Sequence, residues 1–340
     1  MERIKLPFAS MIIEFTDRDR ALEQINEWAE RGMSLPVVSF GPEGCGKTAI
    51  LKQAAHMLRE LGYNVFYINP LESEFMAEIE DKDVKKQFFE IVQEAIKSER
   101  WSWIANSVIL LTRELLKRRK RKIAVIVDDA FQAIGLDKAA AYVKGLLGLI
   151  EHPPQPYDRI IAIAATSEGV SRAEIGRHLW SKLIPTWNMP KKGFEELYEK
   201  IPGQKPSFEE VWQWTGGNPR ILSMLYEANW NYEKVIQNFI EKKKLDNFVF
   251  TLSQEEREWL ADAIEDPDSL YARERIPLMN KLVEMNLLID EIHYRDPDLW
   301  IDQPPPKKDL ELGIGSKAAW QTPIHKKAIK QALQNTQKTP

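Results

Sequence analysis

Residues Gly41-Pro42-Glu43-Gly44-Cys45-Gly46-Lys47-Thr48 spell G-x-x-x-x-G-K-[ST], and no other stretch constrains this chain as tightly. Before it, Leu35-Pro36-Val37-Val38-Ser39-Phe40 is short and apolar and predicts a buried strand. After it, the run from Thr48 to Ala55 opens an amphipathic helix. Glycines let backbone N–H groups turn inward around phosphate oxygens, where a side chain would stand in the way. The helix N-terminus adds partial positive charge and Lys47 a full one. Gly41 through Ala49 are therefore the candidate nucleotide-binding residues, Lys47 also acts on the transferred phosphate, and the Thr48 hydroxyl is expected to hold Mg²⁺. A Gly-rich turn without a ligand is the competing reading, and the correct order of strand, loop and helix argues against it.

The other half of such a site belongs on a second buried strand. Ile123-Ala124-Val125-Ile126-Val127 is a continuous apolar run, as expected of a parallel strand covered on both faces, and it ends in Asp128-Asp129. Carboxylates at that end lie where open α/β sheets bind ligands. Asp128 is expected to orient the Mg²⁺ shell and Asp129 to polarise the attacking water. By themselves two Asp residues after an apolar run are more often a turn; 81 positions after Lys47 they form a pair with it. A third strand, Arg159 to Ala165, ends in Thr166-Ser167, where a hydroxyl is expected to sense the γ-phosphate or the water, with a plain strand-end turn as the alternative. Gly62 to Asn69 supplies a further strand.

Together these segments resemble the archaeal ATPase family, in the STAND branch of the AAA+ P-loop ATPases, near the replication-initiator-like ATPases. Phe15-Thr16-Asp17-Arg18-Asp19-Arg20-Ala21-Leu22 is similar to the family's F-x-x-R-x-x-x-L segment, which implies that Arg18 lies by the nucleotide. Asp128-Asp129-Ala130-Phe131-Gln132 looks like its D-[DE]-x-x-Q block, and Thr215 to Leu222 is similar to the G-G-x-P motif of the helical lid. The resemblance implies that Pro219 touches nucleotide and Arg220 senses phosphate. On the residues alone, Asn218 is an N-cap, Pro219 the first helical position, and Arg220 equally a solvated first-turn residue. Arg172 and Arg177 are candidate fingers toward a neighbouring subunit, or equally surface charges. The resemblance covers about residues 10–250 and names no pathway.

The expected architecture is an α/β chain: a parallel-sheet AAA+ core over 1–185, a helical lid over 186–250, and a winged helix-turn-helix over 251–340. Ser253-Gln254-Glu255-Glu256 is a capping box. Residues 295–307 are Pro-rich and expected to be hairpin-like, and Gln331 to Pro340 are expected to fray. Winged helices grip DNA or pack against protein, and Arg273, Arg275, Lys281 and Glu284 make no clear phosphate footprint.

Composition narrows the function classes. Lys plus Arg total 47 against 51 Asp plus Glu, so no uniformly basic nucleic-acid coat exists. The basic run Lys117-Arg118-Arg119-Lys120-Arg121-Lys122 suits a solvated helix end first and DNA contact second. Cys45 is the one cysteine, which excludes an intramolecular disulfide. No signal peptide and no run of about 20 apolar residues are visible, so a cytoplasmic, membrane-free protein is expected. The expected function is ATP hydrolysis in a DNA-associated process such as replication or genome maintenance. The alternative is a slow nucleotide switch that recruits protein partners, and a homo-oligomer is compatible with either.

Overall fold

The structure is a computed structural model that describes residues 2–135, 138–166, 169–292 and 294–338. In chain order it contains β1 (Lys5–Phe8), β2 (Met11–Glu14), α1 (Asp19–Arg31), β3 (Val37–Phe40), α2 (Lys47–Glu60), β4 (Asn64–Asn69) and β5 (Glu74–Glu78). There follow α3 (Lys82–Ser98), α4 (Trp101–Lys117), β6 (Lys122–Asp128), α5 (Ala130–Ile134), α6 (Ala139–Glu151), β7 (Arg159–Thr166), α7 (Gly169–Gly176) and β8 (Lys182–Pro185). The remainder is helical apart from a short ribbon: α8 (Lys191–Glu199), α9 (Phe208–Thr215), α10 (Pro219–Glu227), α11 (Tyr232–Lys242), α12 (Leu245–Thr251), α13 (Gln254–Glu265), α14 (Ile276–Glu284), β9 (Leu288–Ile289), β10 (Ala319–Trp320) and α15 (Pro323–Lys338).

Two compact units emerge, and they are not contiguous in sequence. One comprises residues 1–4, 18–40 and 47–185; the other comprises 5–17, 41–46 and 186–340.

The first unit is built on a six-stranded sheet in the order β5-β4-β6-β7-β3-β8. Every pairing is parallel except that of β4 with β5 at the edge. The strands β3, β4, β6 and β7 are buried almost throughout, which is why they read as unbroken apolar runs rather than alternating ones. Register sets the site: Phe40 pairs with Thr166 and Asp128 with Ala165, so the ends of β3, β7 and β6 lie side by side. Val125, Val127, Phe66, Phe88, Val108 and Leu146 lie in the core on one side of this sheet. The α3–α4 hairpin packs there through Val84, Phe88, Val92 and Leu115.

The second unit has its main core among α10 to α15, with Leu260, Leu278, Trp320 and Ile324 buried in it. The capping box at Ser253 forms as expected, and Ser207 begins α9 with another. Residues 295–307 differ from expectation. They hold a 3₁₀ turn at Pro297–Leu299 inside the connection from β9 to β10, and the paired residues are Ile289 with Ala319 and Leu288 with Trp320. Prolines 297, 304, 305 and 306 have no N–H to give to a ladder. Nor do residues 331–338 fray: α15 continues to Lys338 because Ala332 and Leu333 prolong the buried stripe of Ile324, Ala328 and Ile329.

Candidate phosphate-binding site

The loop from Gly41 to Gly46 turns on three left-handed glycines, Gly41 (φ 153°), Gly44 (φ 75°) and Gly46 (φ 104°). Cys45 N–H donates to the Pro42 carbonyl at 3.2 Å, and α2 starts at Lys47 with no acidic residue in its first turn to neutralise the helix end. Two of the glycines are required by space as well as by φ. A Cβ at Gly41 would lie 1.9 Å from the Thr186 carbonyl oxygen, and one at Gly44 would lie 2.1 Å from the Arg220 Cβ.

At the end of β6 the Asp128 side chain is completely buried. Its Oδ2 accepts from the Tyr67 hydroxyl at 2.9 Å and from the Asn69 amide at 3.3 Å. Its Oδ1 is buried and has no hydrogen-bond partner among the described residues. Burial first, and then the Asp129 charge, push the Asp128 carboxyl up to about 6, against the pull of the Thr48 and Tyr67 hydroxyls and the Lys47 ammonium. Burial and the Asp128 charge together raise the Tyr67 phenol, which keeps it a neutral donor. An orphaned carboxylate oxygen beside a threonine hydroxyl is an oxygen donor set of the kind hard divalent cations take.

Asp129 is held in the left-handed region (φ 43°), with its N–H donated to the Ala165 carbonyl at 3.1 Å. A non-glycine residue in that region stores strain, and here it follows the buried carboxylate directly. Thr166, 2% exposed, has its hydroxyl 2.7 Å from the Ser171 hydroxyl; Ser167 lies outside the described residues. Arg18 is buried at the start of α1 with φ 64°. The two finger candidates part company. Arg172 is buried with its guanidinium 5.1 Å from the centre of the Phe40 ring, whereas Arg177 is exposed and pairs with Glu174 at 2.8 Å.

Within the second unit the turn at 215–220 grips residues 43 and 44 of the loop. Asn218 caps α10 by accepting from Ile221 N–H at 3.1 Å, and its amide donates to the Glu43 carbonyl at 2.9 Å and to Asn188 Oδ1 at 2.8 Å. Arg220 N–H donates to the Gly44 carbonyl at 3.3 Å, while its side chain is exposed; Pro219 is the first residue of α10. Asn188 donates in turn to the Gln321 carbonyl at 2.9 Å, and Gln321 Oε1 accepts from Glu43 N–H at 2.8 Å.

Sequence reasoning missed Tyr67, Asn69, Asn188 and Gln321. Tyr67 and Asn69 carry a signal, a polar pair two apart at the end of an apolar strand. Asn188 and Gln321 carry none, being far in sequence from the loop they serve. Glu2, His56 and Glu60 also bring ligand atoms within 4.8 Å of one another, a grouping invisible in the sequence because Glu2 lies so far from α2.

Several cations of the basic run are paired with acids of the chain. Arg118 binds Asp81 and Glu114, both at 3.1 Å, Lys120 binds Glu80 at 2.6 Å, and Arg121 lies 3.6 Å from Asp158. In the C-terminal region Arg275 pairs with Asp262 at 2.9 Å and Lys281 with Glu256 at 2.7 Å.

Residues 15–225 match a protein family described as an ATPase domain predominantly from Archaea. The chain belongs to this archaeal ATPase family. No curated protein matches it by sequence. Among solved structures it is similar to the Walker-type ATPase PABY2304 of Pyrococcus abyssi, with a TM-score of 0.50 and 13% identity over 93% of this chain and 96% of that one. It also aligns with the Aeropyrum pernix ORC2 protein, solved as ADPNP–ADP complexes (TM-score 0.39, 12% identity, 92% and 94% covered). A third match is AMPPCP-bound DnaA from Aquifex aeolicus (TM-score 0.36, 18% identity, 77% and 75% covered). The archaeal ATPase thus shares the fold of a Walker-type ATPase, with its glycine loop after β3 and its paired carboxylates, Asp128 and Asp129, at the end of β6. Among the described residues no helix is long and apolar enough to cross a membrane.

Proposed function

We propose that this archaeal ATPase binds ATP with Mg²⁺ and hydrolyses it by in-line attack of water on the γ-phosphate. The observation that carries the reading is the orphaned, fully buried Oδ1 of Asp128 beside Thr48, at the end of the strand where this fold binds its ligand. Thr48 and Asp128 would hold Mg²⁺, which when bound supplies positive charge against the phosphate oxygens. Lys47 and the amides of the Gly41–Gly46 loop bind and orient the phosphates. Asp129 accepts a hydrogen bond from the attacking water, its strained backbone setting the carboxylate just beyond β6. Thr166, anchored by Ser171, stands at the adjacent strand end as the hydroxyl that senses the γ-phosphate. Arg18 and Pro219 are assigned to nucleotide contact and Arg220 to phosphate sensing. Of the two arginines after β7, Arg177 is the one with an exposed guanidinium to offer a neighbouring copy.

The nucleotide state has an output through residues 251–340, which we read as a winged helix. A DNA-associated role requires free cations to meet phosphates. Arg118, Lys120, Arg275 and Lys281 are each paired with acids of this chain, which favours a switch acting on a protein partner. The test is ATP turnover of the purified protein with and without duplex and single-stranded DNA at two salt concentrations. Lys47→Ala is expected to weaken ATP binding roughly 10- to 150-fold with the fold intact. Asp129→Asn should retain binding and slow turnover by about 10²–10⁴. Unchanged ATP affinity in the first variant or unchanged turnover in the second would remove those residues from their roles. Turnover indifferent to DNA supports the protein switch, and salt-sensitive stimulation by DNA would overturn it.

A further inference from the structure

Tyr67 is fully buried in β4, which lies between β5 and β6 in the sheet unit. A phenylalanine would fill nearly the same space, so packing does not account for the hydroxyl. That hydroxyl donates to Asp128 Oδ2 at 2.9 Å. Register explains the reach: Tyr67 is opposite Ile126 in the parallel pairing of β4 with β6, and residues two apart on a strand share a face. Asn69, on the same face, adds a second donor to the same oxygen at 3.3 Å. Its amide is oriented from behind, since Asn69 Oδ1 accepts the Glu72 N–H at 3.1 Å. Two donors on one oxygen fix the rotation of the carboxylate and leave Oδ1 as the oxygen without a hydrogen-bond partner among the described residues. The same unit holds a second buried tyrosine for comparison. The Tyr63 hydroxyl donates to the Ala29 backbone carbonyl at 2.6 Å, away from any carboxylate of the site.

We propose that Tyr67 is a positioning residue for Asp128: its hydroxyl, with the Asn69 amide beside it, holds Oδ2 and so presents Oδ1 to the Mg²⁺ of the nucleotide site. The inference rests on the Mg²⁺–ATP reading above and deepens it. A ligating carboxylate that is itself hydrogen-bonded is oriented before the cation arrives, so less ordering remains to be done on binding. Tyr67 touches neither cation nor nucleotide in this scheme and acts through Asp128 alone. Loss of the hydroxyl frees the carboxylate to turn and weakens its hold on the cation, while Lys47 and Thr48 keep their own roles.

The experiment titrates Mn²⁺ into the full chain with ADP, following the electron paramagnetic resonance of the free ion, for the unaltered protein, Tyr67→Phe, Asn69→Ala and Tyr63→Phe. Tyr67→Phe is expected to weaken Mn²⁺ binding about tenfold. Asn69→Ala, which removes the longer of the two bonds, should weaken it about threefold. ADP affinity measured in a chelator should be alike in all four proteins, because Asp128 meets nucleotide only through the cation. Tyr63→Phe should lose thermal stability and keep the unaltered Mn²⁺ affinity. A Tyr67 that only supports the fold would behave as Tyr63 does, with a lower melting temperature and unaltered Mn²⁺ affinity in Tyr67→Phe, and that result overturns the proposal. Tighter Mn²⁺ binding in Tyr67→Phe overturns it as well, since the hydroxyl would then compete with the cation. Should Tyr67→Phe fail to fold, Asn69→Ala decides alone, and unaltered affinity there has the same consequence. Failure of the unaltered protein with ADP to bind Mn²⁺ refutes the reading of the nucleotide site itself, whereas binding with indifferent variants refutes the role of Tyr67 only.

Discussion

The polar cluster around Asp128 in one unit and the one around Asn218 in the other are built on opposite plans. Around Asp128 a buried charge receives two neutral hydrogen bonds and keeps one oxygen without a partner. Around Asn218 neutral amides use nearly all of their hydrogen-bonding capacity on one another and on the backbone of the phosphate loop. A buried carboxylate left short of partners is destabilising in itself, and the proposed Mg²⁺ would supply the partner it lacks. A network of satisfied amides is rigid and holds backbone in place whether or not ligand is present. The lesson is that unsatisfied atoms mark where chemistry is expected and satisfied ones mark what keeps the loop in shape.

The sharpest way to break the contrast is at Gly44. Gly44→Ala forces a Cβ to within 2.1 Å of Arg220 Cβ at a left-handed φ, and is expected to cost about 2–4 kcal/mol in denaturant unfolding. Gly62→Ala is the control, since Gly62 has a similar φ and nothing within 4 Å; its expected cost is about 1 kcal/mol. Equal costs would show that the 215–220 turn does not confine the loop.

Next in size is Asp128→Asn. The folded carboxyl titrates at about 6 against an ordinary 3.8, so the folded chain keeps its proton longer than the unfolded one. Stability is therefore lost as pH rises through that window, with the loss complete above the folded value, on the order of 2–3 kcal/mol. In a chelator the variant should outlast the unaltered protein in thermal melts at pH 8 and match it near pH 4. An unaltered protein as stable as the variant at pH 8 would mean that the carboxylate does not lack partners.

Asn218→Ala removes a helix cap, one hydrogen bond to the loop and one to Asn188 together, and a loss of about 1–2 kcal/mol is expected from denaturation curves. If Asn188→Ala caused no loss of its own, the network would be acting only as a cap and not as a unit. The smallest effect belongs to Arg118→Ala. Its guanidinium is already committed to Asp81, Asp83 and Glu114, so DNA affinity measured at low salt should not move. A clear drop would return the 117–122 run to the list of nucleic-acid contacts.

Much of the sheet unit is legible in the chain, because local physics dictates it. A strand buried on both faces must be apolar throughout, a phosphate loop must have glycine where φ is positive, and a helix start must find a cap. Hence Val37–Phe40, Gly41–Thr48, Ile123–Asp129 and Ser253–Glu256 announce themselves. The prolines at 295–307 misled because a proline-rich stretch looks like a turn whether it joins two paired strands or merely lies between them. The tail at 331–338 looked frayed because its two apolar residues, Ala332 and Leu333, acquire meaning only beside Ile324 and Ala328.

What the sequence by itself determined is which residues make up the candidate site: the glycine loop, lysine and hydroxyl of 41–48 and the paired carboxylates at 128–129, each group legible from local spacing. What only the tertiary structure decided is how these groups are held. Tyr67 and Asn69 reach Asp128 because β4 pairs with β6, and Gln321 reaches Glu43 because the chain returns there after 278 residues, with Asn188 joined to Gln321 and Asn218. Hydrogen bonds between distant segments leave no periodicity in a sequence, since an amide satisfies its partner equally well from any position that folding brings within 3 Å.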